Sequence, residues 1–351
     1  MASRSAAVGD LRDAFADALV ELGHERQDVI VLDADLNTSS KTVKFMEAFP
    51  DRFIQVGIAE QNLFGIAAGL AMEGYVPFPS TFAVFAARRA LDQIAISIAY
   101  PGLDVKIAGS YAGLPTSRAG ASHNSVEDIA IFRSLPNMRV ADAGDGAELR
   151  SVIRVAVQTA GPVYFRVARL EVPDLVAHEL PFEWGRGHVL LDGSDVTLFG
   201  TGIMSGLCLR AAEILRRDGI HPRVVHLASI KPIDEELVRS SALQTGCAVT
   251  AENASVVGGF GAAVLEAMGV NAVPVERIGV RDRWVDSGPT ESLFAEHGMR
   301  SSDIAAAARR VMDARDGRAL GTGSSARRSV ALTGGEQPSA TDFDDPGGRP
   351  V

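Results

Sequence analysis

Apolar residues recur along the first part of the chain at spacings that predict a helix followed by a buried strand. They occur at helical spacing from Leu11 to Leu22, with Asp10 as the expected N-cap and Gly23 as the expected end of the helix. The continuous apolar run at residues 29–32 is typical of a strand in a parallel sheet that is covered on both faces. Helices and strands are therefore expected to alternate from the N-terminus onward.

The same alternation continues to residue 167 and predicts a first domain at residues 1–170. The expected elements are a helix at 61–72, a strand at 75–78, a helix at 83–99, a strand at 105–108, a helix at 126–133, a strand at 138–141, a helix at 147–158 and a strand at 163–167. Strands that alternate with helices favour a doubly wound α/β fold with a mainly parallel sheet.

A proline-containing stretch at residues 171–185 interrupts this rhythm and is predicted to be a linker. A second α/β series follows, which predicts another doubly wound domain at 186–312. Its expected strands lie at 196–200, 223–227, 247–251 and 273–278, and its expected helices at 205–217, 234–241, 261–268 and 302–312. From residue 313 onward Gly, Ser, Pro, Arg and Asp dominate, so residues 313–351 are predicted to form a disordered tail.

Composition and charge exclude several classes of protein. The chain has 351 residues, 46% of them hydrophobic, which is enough for two packed cores. A net charge of −10 without a long basic run argues against a nucleic-acid partner. Cys208 and Cys247 are too few for a disulfide framework and lack metal-site spacing. The sequence contains neither a signal-like segment nor an apolar run of about 18 residues, so we expect a cytoplasmic protein that does not cross a membrane.

A carboxylate stands at the most informative junction of the first domain. Residues 56–62 read V-G-I-A-E-Q-N, and Glu60 lies between a strand-like segment and a helix rich in Ala and Gly. Proteins of the α/β class bind ligands at the carboxyl ends of their strands, which makes Glu60 a candidate site residue. An ordinary glutamate that is stabilised by the helix dipole would give the same pattern.

Two aromatic side chains follow at the next strand-to-helix transition. Phe82 and Phe85 lie three residues apart, so they can share one face and form the walls of a site for a flat heteroaromatic ligand. Packing within the core is the alternative explanation for the pair.

A long polar loop precedes the helix predicted at 126–133. It begins near Gly109, and residues 119–128 read A-G-A-S-H-N-S-V-E-D. Polar loops of this length in compact domains are frequently functional. His123 stands just before the helix, where it could either donate a hydrogen bond to a ligand or simply cap the helix.

The order of these motifs resembles the pyrimidine-binding domain of transketolases. The motifs are D-A-D-L at 33–36, I-A-E-Q-N at 58–62, T-F-x-x-F at 81–85, S-H-N-S-x-E-D at 122–128, F-R-S-L-P-N at 132–137 and F-R-V-A-R at 165–169. The segments I-K-P-I-D at 230–234, T-A-E-N at 250–253 and V-G-G-F-G at 257–261 resemble the C-terminal domain of the same family. The resemblance covers residues 8–312 and implies thiamine diphosphate as the cofactor.

The resemblance assigns cofactor contacts to five residues. It implies that Glu60 forms a hydrogen bond with N1′ of the aminopyrimidine ring and acts as a catalytic residue. It implies that Phe82 and Phe85 surround this ring, with Arg88 at a position where many relatives carry an aromatic residue. Asp35 would lie beside the thiazolium.

The substrate side is assigned in the same way. The resemblance implies that His123 faces the substrate as a second catalytic residue and that Tyr111 stands where another histidine is frequent. Ser39 and Arg169 match positions that hold a sugar phosphate. Ala119 replaces the aspartate that commonly contacts a hydroxyl of the donor, which leaves the identity of the sugar open.

The residues that would hold a metal ion are expected in another chain. Gly144-Asp145-Gly146 resembles a diphosphate-binding turn, but no asparagine occurs between Asn137 and Asn253 to complete it. No metal site is therefore predicted in this chain. The resemblance implies that an N-terminal transketolase subunit holds Mg²⁺ and the diphosphate, in an α₂β₂ heterotetramer.

The function implied is that of the C-terminal subunit of a split transketolase, which transfers a two-carbon ketol unit from a ketose to an aldose. Three alternatives remain open: the β subunit of a 2-oxoacid dehydrogenase E1 component, an enzyme of the deoxyxylulose-phosphate synthase type, and a non-catalytic regulatory partner. The F-R-S-L-P-N motif and the pair Ser39 and Arg169 favour sugar phosphates.

Overall fold

Strands and helices alternate through residues 8–176 and 180–317, which are the residues that the computed structural model describes. The strands within these ranges are β1 (Val8–Asp10), β2 (Val29–Asp33), β3 (Phe53–Gln55), β4 (Val76–Phe82), β5 (Lys106–Ser110), β6 (Arg139–Asp142), β7 (Val163–Val167), β8 (Glu171–Pro173), β9 (His188–Leu191), β10 (Val196–Gly200), β11 (Pro222–His226), β12 (Ser229–Lys231), β13 (Ala248–Ser255) and β14 (Val275–Val280).

The α-helices connect the strands on both sides of the sheets. They are α1 (Leu11–Glu25), α2 (Asn37–Ser40), α3 (Val43–Ala48), α4 (Glu60–Met72), α5 (Ala83–Arg88), α6 (Asp128–Ser134), α7 (Gly146–Gln158), α8 (Met204–Arg217), α9 (Glu235–Thr245), α10 (Phe260–Met268), α11 (Thr290–Glu296) and α12 (Ser301–Arg315). Short 3₁₀ segments occupy Pro50–Arg52, Ser117–Ser122 and Gly269–Asn271, and Gln93–Ala99 is a π-helix.

Two mainly parallel sheets confirm the predicted fold class. The larger sheet has the order β12-β6-β7-β5-β4-β2-β3, and the smaller has the order β14-β13-β10-β11-β9. Each sheet has one antiparallel edge strand: β12 pairs with β6, and β9 pairs with β11. All five residues of β2 are buried, as a continuous apolar run in a covered parallel strand requires.

The strand β12 connects the two halves of the chain. Ser229 pairs with Ala141 and Lys231 pairs with Val140, although β12 lies within the segment predicted as the second domain. In the predicted linker, β8 forms a small antiparallel sheet with β1. Neither strand was predicted from the sequence, because a strand of three residues has too few positions to show a period.

The structure corrects the predicted end of the first helix. Asp10 is the N-cap of α1, and its carboxylate accepts a hydrogen bond from the backbone N–H of Arg12, as predicted. The helix does not end at Gly23 but continues to Glu25. A Cβ atom at Gly23 would lie 2.3 Å from the Phe49 ring, so this glycine allows a close approach inside the helix.

Two further predicted elements differ from the structure. The helix predicted at 83–99 is divided into α5 and the π-helix, with Arg89 at the break. Helix α12 continues to Arg315, inside the segment predicted as a disordered tail, and residues 318–351 lie outside the described residues. Within the described ranges, the structure contains no helix of the length and apolarity that a membrane span requires.

Candidate functional site

Glu60 is buried at the beginning of α4, directly after the turn that leaves β3. Its side chain is 1% exposed, and the Nη1 atom of Arg89 lies 2.8 Å from each of its two carboxylate oxygens. Gly57 has φ of 72°, a conformation that favours glycine, and this allows the turn between strand and helix. A carboxylate in such an environment requires a cation or a hydrogen-bond donor, and Arg89 supplies both.

An aromatic cluster lies at the ends of β4 and β5. The rings of Phe82 and Phe85 are stacked with centroids 5.6 Å apart, so the two side chains share a face as predicted. The ring of Tyr111 stacks on Phe82 at 4.1 Å. The imidazole of His123 meets Phe82 at 5.8 Å and Phe85 at 5.4 Å, in both cases edge to face. The structure thus brings together four residues that the sequence indicated at three separate places.

Two arginines flank Tyr111. The guanidinium of Arg169 lies 5.2 Å from the centroid of the Tyr111 ring, and that of Arg12 lies 5.7 Å from it. The Nη1 atom of Arg12 donates to the Tyr111 hydroxyl at 3.3 Å and to the carbonyl of Ser39 at 3.2 Å. Asp10 orients Arg12 through an ion pair of 2.6 Å. The predicted residues Ser39, Tyr111 and Arg169 therefore lie together at a positively charged region.

Arg12 was not identified as a site residue in the sequence. It occupies the first turn of an amphipathic helix, where an arginine is an ordinary surface residue, and its neighbours Ser39 and Tyr111 are distant in sequence. The only local signal is Asp10 two residues earlier, which both caps the helix and pairs with Arg12.

A buried aspartate supports the turn that carries Asp35. Asp33 ends β2 and accepts hydrogen bonds from the backbone N–H of Leu36 at 2.6 Å and the hydroxyl of Thr42 at 2.9 Å. Burial raises the pKa of Asp33, although these hydrogen bonds oppose the shift. Asp35 is exposed, has φ of 63° and donates its N–H to the Gln55 side chain at 2.7 Å. Its predicted position beside a thiazolium stays a prediction.

Arg88 makes its contacts with the loop before α6 and with the second half of the chain. Its guanidinium forms an ion pair with Glu127 and lies 5.2 Å from the centroid of the Trp284 ring. It also donates to the carbonyl of Ala121 at 3.4 Å. The predicted role of Arg88 in the cofactor pocket therefore stays a prediction, while the structure shows that it holds the loop.

The Gly144-Asp145-Gly146 turn has a structural role. One carboxylate oxygen of Asp145 caps α7 by accepting from the N–H of Glu148 at 2.8 Å, and the other accepts from the N–H of Leu175 at 2.9 Å. Across residues 8–176 and 180–317, no group of three or more His, Cys, Asp and Glu side chains is placed to hold a metal ion.

Comparison with known families gives two matches that together cover most of the chain. The model of the pyrimidine-binding domain of transketolase matches residues 9–174, and the model of the C-terminal domain of transketolase matches residues 185–304. The two segments agree with the ranges over which the motifs were recognised in the sequence.

Comparison with individual proteins gives matches over nearly their full length. The chain is 41% identical to the 6-deoxy-6-sulfo-D-fructose transketolase subunit SqwH of Clostridium sp. (strain MSTE9), over 86% of this chain and 94% of that protein. It is 36% identical to one of the apulose-4-phosphate transketolase subunits of Phocaeicola vulgatus, over 84% and 94%. A solved structure of a split-gene transketolase, an inactive beta4 tetramer, is 47% identical with a TM-score of 0.81, over 87% of this chain and 99% of that one.

Proposed function

The chain belongs to the transketolase family as the C-terminal section of a split enzyme, and we propose that with an N-terminal partner subunit it transfers a two-carbon ketol unit from a ketose to an aldose. The observation that carries this proposal is the buried carboxylate of Glu60 near the stacked rings of Phe82 and Phe85. Arg89 connects the two features, because its guanidinium pairs with Glu60 and lies 4.5 Å from the centroid of the Phe85 ring.

These residues fit the aminopyrimidine of thiamine diphosphate. A buried carboxylate is a strong acceptor for a ring nitrogen that carries a proton, and two phenylalanine rings offer apolar faces to a flat heterocycle. When bound, thiamine diphosphate supplies the nucleophilic carbon and the electron sink for the two-carbon unit. Glu60 would hold the proton at N1′, and Phe82 and Phe85 would orient the ring and exclude water.

His123 is proposed to act on the substrate. Its Nδ1 atom lies 2.8 Å from the hydroxyl of Ser122, which orients the ring and leaves the Nε2 atom for a sugar hydroxyl. A hydrogen bond from imidazole to an oxygen that gains negative charge stabilises the transition state more than the ground state.

The positive region around Tyr111 is proposed to bind the anionic end of the sugar. Arg12 and Arg169 can form charge-assisted hydrogen bonds with phosphate or sulfonate oxygens, with Ser39 beside them. The names of two relatives specify a sulfonated sugar and a phosphorylated sugar, both of which carry such a group. We infer that the donor is a ketose with an anionic terminal group.

The partner is proposed to be the subunit that binds the diphosphate. This chain matches the models of the pyrimidine-binding and C-terminal domains, so the proposed enzyme is an α₂β₂ heterotetramer in the cytoplasm whose other subunit holds Mg²⁺. The tetramer described for the split-gene relative contains β subunits and is inactive, which supports the need for a second kind of subunit.

The test is to mix the chain with its N-terminal partner, thiamine diphosphate and Mg²⁺, and to measure ketol transfer from a panel of phosphorylated and sulfonated ketoses. Transfer that requires both chains supports the proposal. Release of CO₂ from pyruvate without ketol transfer would instead indicate a decarboxylating relative. Full activity of the partner in the absence of this chain would indicate a regulatory role.

A further inference from the structure

The loop that carries His123 is attached to the second half of the chain at its beginning. We name residues 111–127 the His123 loop. The backbone N–H of Leu114 donates to the Oδ1 atom of Asn253 on β13 at 3.0 Å, and Asn253 is 2% exposed. Gly113 has φ of 78°, and a Cβ atom there would lie 2.1 Å from the Nδ2 atom of Asn253. The side chain of Asn253 therefore fits closely against the loop backbone.

Two further contacts attach the middle and the end of the loop. At Gly120, where φ is 68°, a Cβ atom would lie 2.5 Å from the hydroxyl of Ser287, so the loop backbone runs close to the segment between β14 and α11. At the other end, the N–H of Ser255 on β13 donates to the carbonyl of Val126 at 2.6 Å. The same two regions of the second domain thus contact the loop three times.

Arg88 completes this attachment from the side of the first domain. It pairs with Glu127, donates to the carbonyl of Ala121 and lies over the ring of Trp284, which is 71% exposed. Trp284 belongs to the same segment as Ser287. A tryptophan with so much exposed surface gains little from burial, but its ring stabilises the guanidinium that holds the loop.

The loop has few side-chain bonds of its own. The buried side chains of Asn124 and Ser125, next to His123, make no hydrogen bond within the part of the chain that the structure describes. Its conformation therefore depends on the backbone contacts and on the second domain.

We propose that Asn253 and Trp284 are positioning residues, through which the C-terminal domain sets the place of His123 relative to the aromatic cluster. This rests on the proposed function, because the role of His123 toward a substrate is part of it. A shift of the loop weakens the contact of His123 with the substrate equally before and during the reaction. The expected result is a higher KM with kcat little changed.

The first experiment measures the loop without any activity, by hydrogen–deuterium exchange of the full chain. Asn253→Ala removes the acceptor of the Leu114 N–H, and we expect amides of the His123 loop to exchange about tenfold faster. Trp284→Ala is expected to speed exchange about threefold, and Trp284→Phe to restore it because a ring remains under Arg88. Leu243→Ala, at an exposed apolar position on α9, is the control.

The second experiment measures ketol transfer by the same variants with the partner subunit. For Trp284→Ala we expect KM for the ketose to rise about threefold with kcat within about twofold, and Trp284→Phe to recover the wild-type KM. Unchanged exchange in both alanine variants would overturn the proposal. Faster exchange with unchanged KM would also overturn it, because His123 would then not depend on the loop. If the wild-type pair transfers no ketol unit, the proposed function has failed, and exchange alone decides whether the C-terminal domain holds the loop.

Discussion

The Nη1 atom of Arg89 lies 2.8 Å from both carboxylate oxygens of Glu60. The glutamate is 1% exposed, whereas the arginine side chain is 48% exposed, so the cation reaches inward from the surface to a buried anion. The arginine comes from the break after α5, which also directs it past the Phe85 ring. It therefore occupies the carboxylate that we propose for the aminopyrimidine ring.

Replacing Arg89 is expected to strengthen cofactor binding. In Arg89→Met the buried carboxylate loses its cation before the cofactor binds, while the complex loses little, because the ring then supplies the donor. We expect the apparent affinity for thiamine diphosphate to rise by about tenfold, or about 1.4 kcal/mol, as measured by titration of the assembled enzyme. Arg217→Met on α8 is the control. Weaker binding by Arg89→Met would mean that Arg89 contacts the cofactor itself.

Replacing Glu60 is expected to abolish turnover while the fold is retained. Glu60→Gln keeps the size of the side chain but removes the negative charge that holds a proton at the ring nitrogen. Proton transfer of this kind contributes roughly 10²–10⁴-fold, so kcat should fall by about that factor. Far-UV circular dichroism and the assembly with the partner should match the wild type. Glu73→Gln, at the exposed end of the same helix, serves as the comparison, and an active Glu60→Gln enzyme would refute the role.

Arg12 is expected to distinguish anionic from neutral donors. Arg12→Gln removes one charged group beside Ser39 and Tyr111, so KM for a ketose phosphate should rise by roughly 30-fold, or about 2 kcal/mol. KM for an unphosphorylated ketose should change little. Steady-state kinetics with both donors provide the measurement, with Arg26→Gln at the other end of α1 as the control. An equal loss for both donors would show that Arg12 supports the fold and does not bind the anion.

A buried histidine and glutamate join the two halves of the chain and should make stability depend on pH. The Nε2 atom of His226 on β11 lies 2.8 Å from Glu148 on α7, and the Nδ1 atom lies 2.6 Å from the hydroxyl of Ser205. Burial lowers the pKa of His226, but the charges of Glu148, Asp145 and Asp142 more than offset this and raise the pKa above its usual value. Burial likewise raises the pKa of Glu148, but His226 lowers it overall.

The sign of the effect follows from the two pKa shifts. The stabilisation is complete between the usual pKa values of 4.5 for glutamate and 6.5 for histidine. It is lost as the pH rises through the raised pKa of His226 or falls through the lowered pKa of Glu148. His226→Gln should therefore lower the free energy of unfolding by about 3 kcal/mol near about pH 6 and by less near about pH 9. Urea unfolding at both pH values, with the exposed His221→Gln as the control, measures this. An equal loss at both pH values would contradict an ion pair.

The predictions from sequence succeeded where a signal lies within one segment. The alternation of apolar runs predicted the fold class, and Phe82 and Phe85 share a face as their spacing indicated. They failed where a residue has a long-range reason. Gly23 looked like the end of a helix, but it allows the close approach of Phe49. The strand β12 was not predicted, because its pairing with β6 depends on a segment about ninety residues earlier.

The sequence by itself determined the α/β architecture, the family and most candidate site residues, because periodicity and motif order are local properties of the chain. Only the tertiary structure decided which side chains meet. It paired Arg89 with Glu60, placed Arg12 beside Tyr111 and brought Asn253 to the His123 loop. Each of these contacts joins residues that lie 29, 99 or 139 positions apart. Such contacts depend on how separate strands pack into sheets and bring their loops together, which no local pattern encodes.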